Sequence, residues 1–495
     1  MNTTSLDAVD ALLADAGVHS RPLREVLALL AAGPLPFDEL VRRSALPRRT
    51  VEDLLAALGP DLDRDADGCR LAPAVRAEYR SRFAPPAAEP DAEVAALLRR
   101  FIATGPAPLA ALDHVTATPE TVLRRAEWLR DHYDLTGARL LFLGDHDLTS
   151  TAVALLAPEA SITVVDVDER ILRHLDALSA EHRLGVRTLH ADLRFGLPPA
   201  VQAGADLVFT DPPYTPEGIG LFAGRAAEAM AGPGSRLLLA YGFSPRTPAL
   251  GLKVQQELLR LGMVFEAVLP GFHRYEGAQA IGSAADLYVC QPTGKARKKG
   301  ARGQAIYTHG PQSVESAGGP APLEALGALL GTPVTALRGP DWTAPVSAAA
   351  VFDLRADPGP WLARMLLACG ADRVAFLLPN QHPDLADERG QRALADLVAG
   401  KYALRLHRST PDPAHAVVVA EAVTDDSAAG RLLRRAHGKL GNVWREALIA
   451  TGGGTKRAAA DRVAALVPEP EDLALRLIDL PRHRIAELLT AARTA

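Results

Sequence analysis

From Arg139 onward the chain alternates short apolar runs with helix-forming stretches, and no other feature restricts its folding as tightly. Seven runs stand out: RLLFLG, SITVVDVD, VRTLHAD, ADLVFTDPPY, SRLLLAYG, VFEAVLP and ADLYVCQ. Each is short and largely apolar, the pattern of a strand covered on both faces. Helical spacing fills the gaps at Ser150–Leu156, Glu169–His182, Gly220–Met230 and Leu252–Leu261. Strand, helix and strand in succession give right-handed crossovers and a parallel, doubly wound α/β sheet. The last two runs are joined without a helix, so the alternation ends with them.

At 495 residues the chain is too long for one core, and a prior of one domain per ~150 residues gives about three. Upstream, Leu23, Val26, Leu27 and Leu30 mark one helix, Phe37 to Ser44 a second, and Thr50 to Leu58 a third after the break at Leu46-Pro47. Asp61 to Ala72 reads as a hairpin turning at Asp67-Gly68, which makes residues 1–90 a winged-helix-like module. The helix in the recognition position starts with Arg48 and Arg49 but continues with Glu52 and Asp53, so it brings no net charge to a phosphate backbone. A structural or dimerising role fits better than DNA binding.

Ala84 to Pro90 (APPAAEP) is a linker. Helices at Ala92–Ile102, Leu109–Asp113 and Thr118–Asp131 open the α/β domain, which occupies 91–293. The basic stretch Lys295 to Gln304 marks a flexible linker over 294–310. Beyond it, 311–495 reads as a small α/β accessory domain without a catalytic signature. Its strands are Ser347–Leu354, Val374–Leu378, Tyr402–His407 and Ala416–Ala422, its helices Trp361–Cys369 and Arg389–Ala399, and a helical tail runs from Ala428 to Ala492.

Composition narrows the partners. A formal charge of −5 lacks the basic excess of a nucleic-acid binder and suits small cationic substrates. Cys69, Cys290 and Cys369 are scattered, with no metal-ligand spacing, and read as buried apolar residues; no metal is expected. Neither a signal sequence nor an apolar run of ~20 residues is present, so a reducing cytoplasm and no membrane partner are expected.

The chemistry collects at the strand ends. Gly144 ends the first strand and eases the turn into Asp145-His146-Asp147. The second strand ends in Asp166, placed to accept the two hydroxyls of a ribose, with Asp168 either assisting or capping the next helix. The third ends in Asp192, placed to accept from an adenine amino group. The fourth runs into Asp211-Pro212-Pro213-Tyr214-Thr215, the most specific signal in the chain. Two prolines stiffen that turn and remove two amide donors, Asp211 adds a carboxylate and Tyr214 a π-face, a combination that holds an amine or a planar base. Asp145 and Asp147 would repel the carboxylate of intact S-adenosylmethionine but attract the ammonium of its decarboxylated form.

GDHD after the first strand, DPPYTPEGIGLFAGRA after the fourth and GFHRYEGAQAIGSAADLYV further on together resemble the branched-chain polyamine synthase family, over roughly Arg21 to Gln291. The resemblance implies a class I methyltransferase-like Rossmann domain and decarboxylated S-adenosylmethionine as cosubstrate. It implies a spermidine-like polyamine acceptor and aminopropyl transfer with release of methylthioadenosine. In that family the first motif is Gly-Asp-Asp-Asp, its last aspartate near the attacked amine. By position Asp147 takes that role here, and His146 replaces the middle aspartate, with a side chain that in isolation titrates near 6.5.

On this reading Asp147, Asp211 and Tyr214 are catalytic, and Gly144, Asp145, Asp166, Asp168 and Asp192 bind the cosubstrate. His146, Pro212, Pro213, Thr215 and Glu276 touch the acceptor. A homodimer follows from family analogy alone, and the family assigns no role to the C-terminal domain. The rivals are an S-adenosylmethionine-dependent amino-methyltransferase acting on a nucleobase, which uses the same Asp-Pro-Pro-Tyr turn, an aminocarboxypropyl transferase, and a ligand-sensing regulator.

Overall fold

The computed structural model describes residues 5–65, 68–83, 92–278, 281–294, 296, 305–309, 321–331, 337–338, 340–347 and 351–494. They form two compact units. One comprises Met1–Thr104, Pro119–Leu140 and Leu148–Ile162; the other comprises Gly105–Thr118, Leu141–Asp147 and Thr163–Ala495.

The first unit opens with helices α1 (Ser5–Ala16), α2 (Arg21–Ala32), α3 (Phe37–Ser44) and α4 (Arg48–Ala57). An antiparallel hairpin of β1 (Leu62–Asp65) and β2 (Gly68–Leu71) follows, then α5 (Arg76–Arg82). Leu35 bridges to Cys69 beside the hairpin, and a Cβ on Gly68 would lie 2.3 Å from the Leu35 carbonyl oxygen, which explains a glycine there. Asp67, the other half of the expected turn, lies outside the described residues. Leu23, Val26, Leu27 and Leu30 are buried together with Leu54, Leu55 and Tyr79, so the helical spacing of the sequence does face a core. Arg48 pairs with Glu52 and Arg49 with Asp53 along α4, both i,i+4 pairs on its exposed face. Helices α6 (Ala92–Thr104), α7 (Pro119–His132) and α8 (Thr149–Leu156) complete this unit.

The central sheet has seven strands: β3 (Arg139–Leu143), β4 (Ser161–Asp166), β5 (Val186–His190), β6 (Leu207–Thr210), β7 (Arg236–Tyr241), β8 (Met263–Arg274) and β9 (Ala284–Pro292). Their order across the sheet is β5-β4-β3-β6-β7-β9-β8. β6 and β7 run parallel, while β9 pairs antiparallel with both β7 and β8. All seven apolar runs are strands, and the last two, joined without a helix as expected, pair antiparallel. The strand order reverses between β3 and β6, and in open α/β sheets ligands bind at the carboxyl ends of the strands beside such a reversal. Helices α9 (Glu169–His182), α10 (Pro216–Ala229) and α11 (Pro248–Arg260) supply the crossovers of the second unit.

The region beyond residue 320 carries α12 (Leu323–Leu330), β10 (Leu337–Arg338), β11 (Val351–Asp353), α13 (Trp361–Ala368), β12 (Arg373–Pro379), α14 (Pro383–Ala386) and α15 (Glu388–Val398). β13 (Tyr402–His407), β14 (His415–Ala422), α16 (Ala428–Arg434), α17 (Leu440–Gly452), α18 (Lys456–Leu466) and α19 (Arg482–Arg493) follow. Its strands order as β10-β11-β12-β14-β13, parallel as far as β12 and antiparallel thereafter. The expected tethered accessory domain is instead continuous with the Rossmann core. Leu189 and Leu193 share one buried cluster with Trp361, Leu366 and Leu489.

Polar contacts reinforce this junction. The Arg364 guanidinium binds Glu169 and the carbonyls of Ile478 and Leu480, His483 meets Asp176, and Arg484 donates to the Thr188 carbonyl on edge strand β5. An open sheet edge thereby gains a cover. Lys295, residues 297–304 and Gly310 of the expected linker lie outside the described residues, but Ile306 and Tyr307, within its expected span, are buried, so that stretch is packed and not a free tether. All three cysteines are buried and free, as their scatter suggested. Among the described residues no helix is long and apolar enough to cross a membrane.

Candidate active site

The turn after β3 needs a left-handed residue, and Gly144 supplies it at φ 72°. A Cβ there would meet only ordinary contact, 3.8 Å from Phe222, so backbone conformation and not space selects the glycine. Asp166, buried at the end of β4, is tied to this turn: its oxygens accept from the amides of Asp145 at 3.0 Å and Asp168 at 2.8 Å. The Val167 amide bonds the same carboxylate, so three backbone donors hold it at the carboxyl edge of the sheet. Burial, helped by the Asp168 charge, pushes the Asp166 carboxyl up to about 6.

Two expected nucleoside ligands have other work. Asp168 is the N-cap of α9, accepting from the Arg170 amide at 2.9 Å and holding the Arg170 guanidinium at 3.0 and 2.7 Å. Of its two readings the capping one is realised, because the helix start needs an acceptor there. Asp192 accepts from the Arg194 amide at 3.0 Å, from Arg194 Nε at 2.9 Å and Nη2 at 2.5 Å, and from the Trp361 indole at 2.9 Å. Those four bonds fill the roughly four acceptor positions of a carboxylate, so the expected acceptance from an adenine amino group is displaced. Burial alone would raise Asp192, but the Arg194 guanidinium outweighs it and holds the carboxyl low. Asp192 therefore shapes the wall beyond β5, where Arg194 lies between Trp361 and Tyr307, 4.8 and 5.3 Å from their ring centres.

The turn after β6 is built as the sequence suggested, with one addition. Pro212 and Pro213 are buried, and a Cβ on Gly218 of α10 would come within 2.6 Å of the Pro213 carbonyl, so the glycine lets the helix close against the turn. Tyr214 donates to Asp211 Oδ1 at 3.0 Å. Tyr275, from the end of β8, donates to Oδ2 at 2.7 Å, and the two phenols lie 2.8 Å apart. This triangle fixes the carboxylate in place. Thr215, expected at the acceptor, is the N-cap of α10: its hydroxyl accepts from the Gly218 amide at 2.9 Å and donates to the Ile306 carbonyl at 2.7 Å.

Asp147 is buried, and its Oδ1 accepts from the Ala117 amide at 2.8 Å. Ala117 also bridges to Tyr275 in an antiparallel pair, flanked by bonds from Thr118 N to Arg274 O and from Glu276 N to Thr116 O, both 2.9 Å. Residues 116–118 thus tie the acidic loop after β3 to the tyrosine that orients Asp211. His146 stacks on His114 with ring centres 4.3 Å apart. Burial lowers the His146 pKa, against the pull of Asp147, so the expected titration near 6.5 does not hold; burial and His146 push His114 down to about 3. Two neutral rings stand where a third carboxylate would make the loop more acidic. Glu276 engages this region through its backbone amide, and its side chain is exposed.

Sequence reasoning missed Tyr275, His114, Arg194 and Trp361 as contributors. Tyr275 was visible beside Glu276 in the RYEG stretch, and its aromatic hydroxyl was the signal. Trp361 carried none, because its partner lies 169 positions away. Among the described residues no His, Cys, Asp and Glu grouping could hold a metal ion.

The family model described as the branched-chain polyamine synthase A C-terminal domain matches residues 93–296. N(4)-bis(aminopropyl)spermidine synthase of Thermus thermophilus is 32% identical over 247 residues, 48% of this chain and 72% of that enzyme. An uncharacterized protein of Methanocaldococcus jannaschii is 36% identical over 184 residues, 37% of this chain and 46% of that protein. The N(4)-bis(aminopropyl)spermidine synthase of Thermococcus kodakarensis is 32% identical over 176 residues, 34% of this chain and 49% of that one. The chain therefore spans about half the length of two of these relatives and more than two thirds of the other. Among solved structures, the branched-chain polyamine synthase of Thermus thermophilus in complex with N4-aminopropylspermidine and 5'-methylthioadenosine aligns at 25% identity and a TM-score of 0.38, covering 57% of this chain and 90% of that one.

Proposed function

We propose that this chain, which belongs to the branched-chain polyamine synthase family, transfers the aminopropyl group of decarboxylated S-adenosylmethionine to an amine of a spermidine-like polyamine. The observation that carries the reading is the coupling through residues 116–118, which joins Asp147 on the first loop to Tyr275 and so to Asp211 on the fourth. Two carboxylates on connected supports suit a substrate with several ammonium groups. Asp166 would take the ribose hydroxyls, and Asp145 the ammonium of the aminopropyl arm.

In the reaction, the lone pair of an unprotonated amine forms a bond to the methylene attached to sulfur. The carbon–sulfur bond breaks, its electron pair stays on sulfur, and methylthioadenosine leaves. Asp147 orients the amine and takes the proton that the new ammonium sheds, while Asp211, held by Tyr214 and Tyr275, anchors a neighbouring amine of the acceptor. Holding nucleophile and electrophile in line can supply up to ~7–11 kcal/mol of the barrier reduction. A second transfer to the same nitrogen would give a branched product.

The test is incubation of the full chain with spermidine and, in parallel, labelled decarboxylated or intact S-adenosylmethionine. Methylthioadenosine and an aminopropylated polyamine from the decarboxylated donor alone are expected. Adenosylhomocysteine would instead establish methyl transfer, and methylthioadenosine from the intact donor an aminocarboxypropyl transfer.

A further inference from the structure

We infer that a cavity between edge strand β5 and the C-terminal region is a second binding site, one that takes a neutral purine ring. The cavity measures about 210 Å³ and is lined by His190 and Phe195 from the central domain and by Trp342, Arg476 and Asp479 from the C-terminal region. All belong to the same compact unit. It is smaller than the ~300–1,000 Å³ pockets that take drug-sized ligands, so it suits one bicyclic ring or the ring end of a nucleoside.

Three observations define the occupant. First, His190 is 1% exposed, and neither ring nitrogen has a hydrogen-bond partner among the described residues. Burial, reinforced by Arg364, keeps the imidazole neutral, which gives it one donor and one acceptor. Buried polar atoms without partners are uncommon, and one that lines a cavity points to a ligand. Second, the wall is aromatic: Phe195 meets Trp342 edge to face with centres 4.7 Å apart, and Trp342 lies 6.1 Å from His190. Third, the charged groups of the lining are paired. Arg476 holds Asp479 through two bonds of 2.7 Å, Arg194 holds Asp192, and Arg225 holds Glu228.

A polyamine or a phosphate would find no counter-charge there without breaking one of these pairs. A planar, uncharged ring does find complementary partners, since a purine edge carries both donors and acceptors and can match whichever imidazole nitrogen faces it, while its faces suit the indole. Two sources supply such a ring: the free base, and the nucleoside released by the transfer proposed above. Identification of the occupant as the reaction's own product rests on that reading; the purine specificity does not.

The experiment is calorimetric titration of the full-length chain with methylthioadenosine and, separately, with adenine. The native chain is expected to take up two nucleosides. Asp166→Asn should leave one, the cavity site, and His190→Leu should weaken that site about tenfold, the loss of one hydrogen bond. Gln202→Trp, at the exposed mouth of the cavity, should block the same site without disturbing the core. Adenine uptake sensitive to His190→Leu assigns the free base, and uptake of the nucleoside alone assigns the product. A native chain with one site, abolished by Asp166→Asn and indifferent to both cavity variants, overturns the inference and leaves the proposed reaction standing. One site that survives Asp166→Asn and is lost in the cavity variants keeps the inference and overturns the proposed nucleoside ligand.

Discussion

Replacing Tyr275 by phenylalanine tests the proposed acceptor site most directly. The ring is buried and its backbone pairs with Ala117, and both features survive the substitution. What disappears is one hydroxyl, the donor to Asp211 Oδ2 at 2.7 Å and the neighbour of the Tyr214 hydroxyl at 2.8 Å. A hydrogen bond to a charged partner contributes about 1.5–3 kcal/mol, and every 1.4 kcal/mol is tenfold, so kcat/KM for the polyamine should fall by roughly 10- to 100-fold. Tyr214→Phe, which removes the longer 3.0 Å bond to Oδ1, should cost less, and the double variant should lose less than the product of the two because one carboxylate is shared. Affinity for methylthioadenosine, which the proposed reaction assigns to Asp166, should not change. Steady-state kinetics with the acceptor varied, beside calorimetry with the nucleoside, separates the two effects. Activity within twofold of native, or a loss carried by nucleoside binding, would show that the triangle is packing and not an anchor.

Arg364→Met strands Glu169 and two carbonyls at the junction between the Rossmann and C-terminal regions, and removing one partner of a buried pair costs about 3–5 kcal/mol; urea unfolding should register it as a lower midpoint. For His114 the folded ring stays neutral down to about 3, while the unfolded ring takes a proton near 6.5. Its contribution is therefore complete above pH 6.5 and lost as pH falls through that window, by about 2 kcal/mol at pH 5. Thermal denaturation of His114→Gln should show a shallower acid-side decline than the native chain, and identical slopes would count against the assignment. His146→Asp adds a carboxylate to the loop after β3 and should lower KM for a polycationic acceptor roughly fivefold, from the ~1 kcal/mol of one charge pair at 4 Å in water, an advantage that should fade at high salt.

The sequence by itself determined whatever depends on local pattern. Short apolar runs placed all seven central strands and the four principal strands of the C-terminal sheet, because such runs bounded by turns or helices read as strands, even at the edges, where β8 and β13 are only partly buried. It also located Gly144, Asp166 and the Asp211–Tyr214 turn, since turn chemistry at a strand end is a local property. The rest was settled by tertiary structure. Asp168, Asp192 and Thr215 are carboxylates or a hydroxyl at apt positions, yet each is committed to a cap or an ion pair, and a side chain's lone pairs are allotted by whichever donors the fold brings near. His146 illustrates the same point for charge: its identity was plain, but its neutrality follows from burial against His114. Contacts that span long stretches of chain, such as Tyr275 on Asp211 and Trp361 on Asp192, leave no period in the sequence because they depend on which strand lies beside which. The C-terminal region, which reads as a tethered accessory, shares the Rossmann core for that reason.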